Sequence, residues 1–412
     1  MRDHPTASKV DVLSAVAMLA ALPPLTYYLR ICVDEFQGAL VVPTVDLLRR
    51  IPAPTVTAVL IYGCWLLFQA SAYVLMPGKL YEGEPLSDKT RLKYKTNGWL
   101  CFWLTLGAFA SAIALGWIPA TILYDNFGPL LTTANIFVFL FAVFLYALGK
   151  SSARSERRTG NVLVDYVMGT SLNPRLGGFD VKFFCESRPG LIFWVLLNIS
   201  FAAKQYELHG QVTTPMLLVL AFQLLYVADY FFHEEAILTT WDIKHENFGW
   251  MLCWGCLVWV PFTYTLQAQY LIHHTHDLPI AAVIGLVGLN LAGFAIFRGS
   301  NIQKHRFRKN PERLIWGKPP QYIRTSRGPL LLTSGWWGIA RHSNYLGDLL
   351  MALAWCLTTG FTHVLPYFYF IYFAILLIHR DRRDNVTCRG KYGEDWDSYC
   401  RKVRWRIVPG LY

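Results

Sequence analysis

Charge is what this sequence has least of. Only 16% of its 412 residues are Asp, Glu, Lys or Arg, against about 25% in a soluble domain. With 54% hydrophobic residues beside them, a soluble globular class is excluded. Nucleotide-loop signatures are also missing: there is no GxGxxG following a strand and no GxxxxGK[ST], which rules out a Rossmann or P-loop site. The nine cysteines form no disulfide framework. Cys253 and Cys256 have CxxC spacing but lie in an apolar run, and they read as small buried residues rather than a redox or metal pair. His233 and Glu234 lack the second His that a zincin needs four residues on. His273, His274 and His276 read as solvated loop residues. No metal is therefore expected. Repeats, low-complexity runs and a soluble appendage are absent as well.

What is present is length without charge. Ten apolar runs of roughly 16–24 residues match a hydrocarbon layer of about 30 Å. They lie near 11–30, 56–76, 99–122, 129–148, 190–205, 214–237, 249–270, 278–297, 345–361 and 364–379. Runs this continuous predict helices rather than barrel strands. The expected fold is an all-α polytopic membrane protein of about ten spans, whose C-terminal half forms a cytoplasm-facing cofactor pocket. Alternating sides from a cytoplasmic N-terminus puts 34 of the 38 Lys and Arg on the cytoplasmic side. Only Arg30, Arg49, Arg50 and Lys204 fall opposite, so the positive-inside rule puts both termini in the cytoplasm. The net charge of +11 then needs no nucleic-acid partner. No small-residue cleavage pattern follows Lys9, so the first run reads as a span rather than a signal peptide. The membrane is a bacterial inner membrane or the endoplasmic reticulum.

Polar chemistry is distributed unevenly. Residues 1–150 form a four-span part with little chemistry, in which 81–98 reads as a solvated connector. Residues 151–412 carry long polar stretches at 151–189, 298–343 and 380–412. In "GNVLVDYVMGTSLNPRLG" (160–177), Asn173-Pro174 predicts a turn. The run 228–250 gathers Asp229, His233, Glu234, Glu235, Asp242, His245 and Glu246 at a membrane boundary, where ionisable groups usually face a cavity. Lys304 and Arg308 are spaced i, i+4 and share a helix face if the eighth span continues that far. The alternative for this basic stretch is a cuff over anionic lipid.

In "GWWGIARHSNYLGD" (335–348), Arg341, Tyr345 and Asp348 stand at i, i+4 and i+7, with Asn344 beside them. A helix entrance with free N–H groups and an Arg is an anion site. The stretch 379–400 adds Asp384, Arg389, Lys391, Tyr392 and Tyr399. Three basic and aromatic segments on one side predict an anionic ligand with flat rings, such as a nucleotide.

"LLTSGWWGIARHSNYLGD" and "GNVLVDYVMGTSLNPR" resemble the signature stretches of the sterol reductase family, which includes sterol Δ14-reductases, 7-dehydrocholesterol reductase and the lamin B receptor membrane domain. "DIKHENFGW" and "RIVPGLY" resemble the same family. The likeness covers nearly the whole chain and is nearest to a compact, bacterial-type Δ14-reductase. It implies ten spans and NADPH held by Lys304, Arg308, Leu332, Trp337, Asn344, Tyr345, Asp384, Cys388, Arg389, Lys391, Tyr392 and Tyr399, to which the residue pattern adds Arg341. It further implies reduction of a sterol ring double bond, C14=C15 in a Δ8,14-sterol drawn from the bilayer. Such a reaction needs a hydride and a proton. Tyr345 and Asp348 are candidate acids, as are Asp242, His245 and Tyr264. Three alternatives stand beside this reading. One is a Δ7-sterol reductase. Another is a membrane methyltransferase using S-adenosylmethionine, since "RHSNYLG" and "YGEDWDSYCRKVRWRIVPG" also resemble isoprenylcysteine methyltransferases. The third is a non-enzymatic sterol-binding scaffold.

Overall fold

The computed structural model describes residues 6–85, 90–151 and 158–412. Of the cations counted above, Arg2, Lys89, Arg154 and Arg157 lie outside these residues. The chain packs as two compact units, Met1–Thr275 and His276–Tyr412. The boundary at 150, drawn where polar content changes, falls inside the first.

In the first unit, apolar runs with few charges become helices α1 (Lys9–Asp34), α2 (Val56–Leu75), α3 (Gly98–Ala114), α4 (Phe127–Ser151), α5 (Pro189–His209) and α6 (Thr214–Phe232). Their starts are marked locally. Ser8 and Asp11 form a capping box on α1, and Thr55 caps α2 through the Ala58 N–H. Within the connector 81–98, the described residues are more ordered than a solvated loop. Strands β1 (Lys79–Pro85) and β2 (Arg91–Thr96) pair antiparallel there, with Tyr81 opposite Tyr94.

The seventh apolar run, 249–270, is not one helix. It breaks into Trp250–Trp254, a π-turn at Gly255–Trp259, Val260–Thr263 and Leu266–Leu271. Pro261 has no N–H to donate to the Leu257 carbonyl one turn back, and the widened π-turn stands just before it. Polar side chains hold neighbouring helices together around this break. Gln223 on α6 accepts from Trp194 Nε1 at 2.8 Å and from Asn198 Nδ2 at 2.6 Å, both on α5. Away from water, such bonds join helices that apolar surface alone cannot select. A buried ion pair does the same at the other end of α6. Arg188, fully buried, lies 2.7 Å from Glu234, whose second oxygen accepts from the Gly98 N–H at 2.7 Å.

The second unit contains α7 (Ile280–Lys309), β3 (Tyr322–Arg324), β4 (Leu330–Leu332), α8 (Ser343–Leu357), α9 (Phe368–Tyr392) and α10 (Glu394–Lys402). Helices α7 and α8 cross at two glycines. A Cβ on Gly293 would sit 2.7 Å from the Gly347 carbonyl oxygen, and a Cβ on Gly347 would be at least as crowded by Phe297. Only glycine permits this approach.

The β3–β4 hairpin separates two aromatic clusters by simple alternation. Tyr322, Leu330 and Leu332 pack with Phe307 and Trp337. Ile323 and Leu331 pack with Trp396, Tyr399 and Val403. Helix α10 supports the second cluster because Trp396, Tyr399 and Val403 follow helical spacing. Acidic residues in its first turn and Arg401 and Lys402 in its last suit the helix dipole.

Helix is present at every one of the ten expected runs. Five helices among the described residues are long and apolar enough to cross a membrane: α1, α2, α4, α6 and α7. Helix α8, at 15 residues, is shorter than the roughly 20 that a span needs.

Candidate cofactor site

Helix α7 does not stop at the end of its apolar run. It continues to Lys309, which puts Lys304 and Arg308 on one face, as the i, i+4 spacing predicts. The Lys304 ammonium lies 3.8 Å from the centroid of the Trp337 ring, a cation–π contact. Trp337 is itself fixed by donating Nε1–H to the Ser300 carbonyl at 2.9 Å. Leu332 enters through the hairpin and packs on the same ring.

The mouth of α8 differs from the sequence expectation at one point. The helix begins at Ser343, so Arg341 precedes it and does not share a helix face with Tyr345 and Asp348. The cause is backbone pairing: the Arg341 N–H donates to Trp405 O at 2.9 Å and the His342 N–H to Arg406 O at 2.8 Å. Arg341 turns instead to Cys400 Sγ, 2.9 Å away, and the Arg404 carbonyl. It ties the mouth to α10. Arg389 is similarly committed, since it donates to Asp397 through Nε at 3.1 Å and Nη2 at 2.7 Å. Lys391 lies over the Tyr392 ring. Tyr392 and Tyr399 both stack on Trp396.

Asp381 is the buried centre of this region, and sequence reasoning missed it. One carboxylate oxygen accepts from Arg406 Nη1 at 2.6 Å and from the Tyr412 hydroxyl at 3.0 Å. The other lies 3.4 Å from His342 Nε2. Asp384, one turn along α9, lies 3.6 Å from the same nitrogen. The His342 ring stacks on Tyr345 with centroids 4.6 Å apart and planes 9° from parallel. Asp381 thus orients His342, and His342 orients Tyr345. No spacing rule signals this, because Asp381 and Arg406 lie on opposite sides of α10 in the chain.

Electrostatics at the mouth follow from burial. Desolvation pushes His342 down to about 4; Lys304, Arg341 and Arg406 add to that, and Asp381 opposes it. The imidazole is neutral at pH 7. Burial raises the Asp384 carboxyl, against the pull of Lys304. The Cys388 thiol is pushed up to about 12, mainly by burial, so it is no nucleophile. Burial also raises the Tyr399 phenol.

Two observations bear on whether a nicotinamide dinucleotide fits. Asn344 Oδ1 is buried with no hydrogen-bond partner, an acceptor that an amide N–H would satisfy. Lys304 and Arg308 supply cations beside flat aromatic faces, the chemistry a phosphorylated nucleotide requires. The residues present fit the group. Metal is another matter: no cluster of three or more His, Cys, Asp or Glu suited to a metal occurs among the described residues.

The five acid candidates divide between the units. Tyr345 and Asp348 belong to the second, near the mouth of α8. Asp242 and His245 belong to the first, on the short helix Trp241–His245. There His245 is exposed and packs on Trp241, with ring centroids 4.4 Å apart. The carbonyls of Asp242 and Glu246 accept from the buried Lys182 ammonium. Tyr264, also in the first unit, packs on Trp194.

The depressed pKa of His342 has a direct consequence for stability. The fold holds the neutral ring, whereas the unfolded chain protonates it near 6.5. Stability from this group is complete above pH 6.5 and falls as pH drops towards 4, by at most about 3 kcal/mol. Between pH 6.5 and 4, the melting temperature in detergent should fall further for the native chain than for His342→Gln. Parallel pH profiles for the two would show that His342 carries no such linkage.

Comparison with known proteins agrees with this architecture. The model of the Ergosterol biosynthesis ERG4/ERG24 family matches residues 12–412. A Delta(14)-sterol reductase of Methylotuvimicrobium alcaliphilum is 58% identical over 404 residues, 97% of this chain and 95% of that one. A Delta(14)-sterol reductase of Dictyostelium discoideum is 43% identical over 427 residues, 99% of this chain and 92% of that one. A 7-dehydrocholesterol reductase of Xenopus laevis is 42% identical over 434 residues, covering 97% and 92%. A match of this length, over a helical chain with a basic and aromatic site at the mouth of α8, means that the protein belongs to the ERG4/ERG24 family of ergosterol biosynthesis.

Proposed function

We propose that this protein reduces the C14=C15 bond of a Δ8,14-sterol, using NADPH bound in the second unit. The chain is an oxidoreductase acting on a sterol carbon–carbon double bond, a statement that rests on its near-full-length identity to Delta(14)-sterol reductases. NADPH is supported by one observation above the others: Lys304 and Arg308 share a face beside Trp337. When bound, NADPH supplies the hydride that no side chain can give.

The chain's own residues do the rest. Lys304 and Arg308 bind the 2′-phosphate as charge-assisted donors. Trp337, Leu332, Tyr392 and Tyr399 offer flat apolar surface, and Asn344 Oδ1 accepts an amide N–H. Asp384 and Lys391 balance charge around the pocket, with Cys388 as a neutral wall. Arg341 and Arg389 hold the pocket's frame through Cys400 and Asp397. An acid must deliver a proton to C15, leaving positive charge at C14 for the hydride to quench. Tyr345 and Asp348 fill that role in this reading, because they stand at the same helix mouth as the cofactor residues. The sterol enters from the bilayer, where the protein is embedded as a helical membrane protein.

The activity test is direct. Purified protein with NADPH should convert a 4,4-dimethyl-8,14-diene sterol to its 14,15-dihydro product, identified by mass spectrometry. Asp348→Asn and Tyr345→Phe should lower turnover while the protein stays monodisperse. Turnover of a Δ7 sterol with none of the diene would assign the chain to the 7-dehydrocholesterol branch instead.

Cofactor choice gives a sharper measurement. A charge-assisted hydrogen bond contributes roughly 1.5–3 kcal/mol, and each 1.4 kcal/mol is about tenfold in affinity. Lys304→Ala with Arg308→Ala should weaken NADPH binding by about one to three orders of magnitude and leave NADH nearly unchanged. Equal loss for both cofactors, or for neither, means that these residues do not read the 2′-phosphate.

Orientation completes the reading, with both termini and the pocket on the cytoplasmic side of ten spans, supported by the Lys and Arg distribution. Cysteines placed at Arg158, Lys318 and Arg401 should all react with an impermeant reagent from the cytoplasmic face. Reaction of the Lys318 and Arg401 positions from opposite faces would sink the ten-span arrangement.

A further inference from the structure

The basic extension of α7 has two faces, and only one meets the cofactor residues. Arg306 follows Lys304 by two positions, a rotation of about 200° on an α-helix. It lines a separate cavity of about 330 Å³ together with Gln303, Arg313, Leu314, Trp316 and Trp336. No acidic residue lines it. Among the described residues, no carboxylate lies within ion-pair range of either arginine. Two guanidinium groups therefore face one small cavity without counter-charge.

The wall of this cavity is held in an unfavourable conformation. Ile315 and Lys318 exchange both backbone hydrogen bonds, at 2.8 and 3.0 Å, around a two-residue turn. Trp316 and Gly317 occupy the turn with φ of 51° and 77°. A turn of this kind takes Asn-Gly or Gly-Gly without cost. A tryptophan in the left-handed region is an outlier, and such strain persists where function uses the side chain. The Trp316 ring meets Trp336 edge to face at 5.4 Å yet stays 61% exposed, and Leu314 beside it is 59% exposed.

The cavity also continues an apolar track. Ile302, on its wall, follows Leu291 by eleven residues and Ile284 by eighteen, so the three fall on one helix face. Ile284 and Leu291 are exposed, and only 11% of the apolar window of α7 is buried. The end of that track is where a membrane interface places Trp and Arg.

We propose that this cavity binds the headgroup phosphate of an anionic phospholipid, whose acyl chains lie along the exposed face of α7. Arg306 and Arg313 pair with the phosphate, Trp316 and Trp336 cover the glycerol region, and Ile302, Leu291 and Ile284 receive a chain. Charge complementarity selects the lipid, since a zwitterionic headgroup brings its own cation to two arginines that need an anion. The site is separate from the cofactor residues and does not depend on the reaction assigned above.

The test titrates delipidated full-length protein with dioleoyl phosphatidylglycerol or dioleoyl phosphatidylcholine and counts bound lipid by native mass spectrometry. The native protein should bind phosphatidylglycerol more tightly. Each Arg near an anionic lipid is worth about fivefold in affinity, so Arg306→Gln with Arg313→Gln should lower phosphatidylglycerol affinity roughly 30-fold. Phosphatidylcholine binding should not change, and sterol reduction by the double variant in detergent should persist, which shows that it is folded. Arg306→Lys with Arg313→Lys should retain affinity within a few-fold. Unchanged phosphatidylglycerol binding in the Gln variant overturns the proposal. So does displacement of the lipid by NADPH, which would make the cavity part of the cofactor site, or by millimolar inorganic phosphate, which would make it a site for small anions.

Discussion

The second unit depends on the contact between Gly293 and Gly347. Two helices of ordinary composition keep their axes 8–10 Å apart because their side chains stand between them. Here both chains lack a Cβ at the crossing, so the backbones touch. The consequence reaches beyond packing. Gly347 lies one turn into α8, and Gly293 lies three turns before the basic end of α7. Their contact fixes how the polar mouth of α8 faces Lys304. In an apolar solvent there is little hydrophobic force to press helices together, so van der Waals fit at small residues decides the arrangement.

Once the helices are close, buried charge must be managed. The mouth holds Lys304, Arg341, Arg406, His342, Asp381 and Asp384 within a small volume. Asp381 accepts from Arg406 and Tyr412 and faces His342. Burial keeps His342 neutral, against the pull of Asp381, and the ring stands in place against Tyr345. Lys304 rests on the Trp337 ring. Asn344 Oδ1 is left without a partner. A mouth arranged this way has most of its polar groups held internally, and groups held in place beforehand lose less freedom when a partner binds.

The basic end of α7 presents two faces by rotation alone. Lys304 rests on the Trp337 ring, with Arg308 one turn on, while Arg306 lines a cavity with Trp316 and Trp336. Basic residues at the end of a span are common, and charge by itself does not separate cofactor recognition from attachment to lipid.

The sequence by itself determined the helices and where they begin. Long uncharged runs leave the backbone no partner but its own carbonyls, and Ser8, Thr55 and the i, i+4 pair Lys304 and Arg308 act within a turn or two of chain. The family was likewise legible, through two quoted stretches long enough to carry the resemblance. Tertiary structure alone decided three things. The π-turn before Pro261 and the interruption after Thr263 could be located only once the helix ladder around them was known. Arg341 left the helix face because residues 340–342 pair with 405 and 406, more than sixty positions away. Asp381 became the centre of the mouth through partners at 342, 406 and 412. Each of these depends on contacts between distant segments, whose formation is set by how helices pack and not by the residues adjacent in the chain.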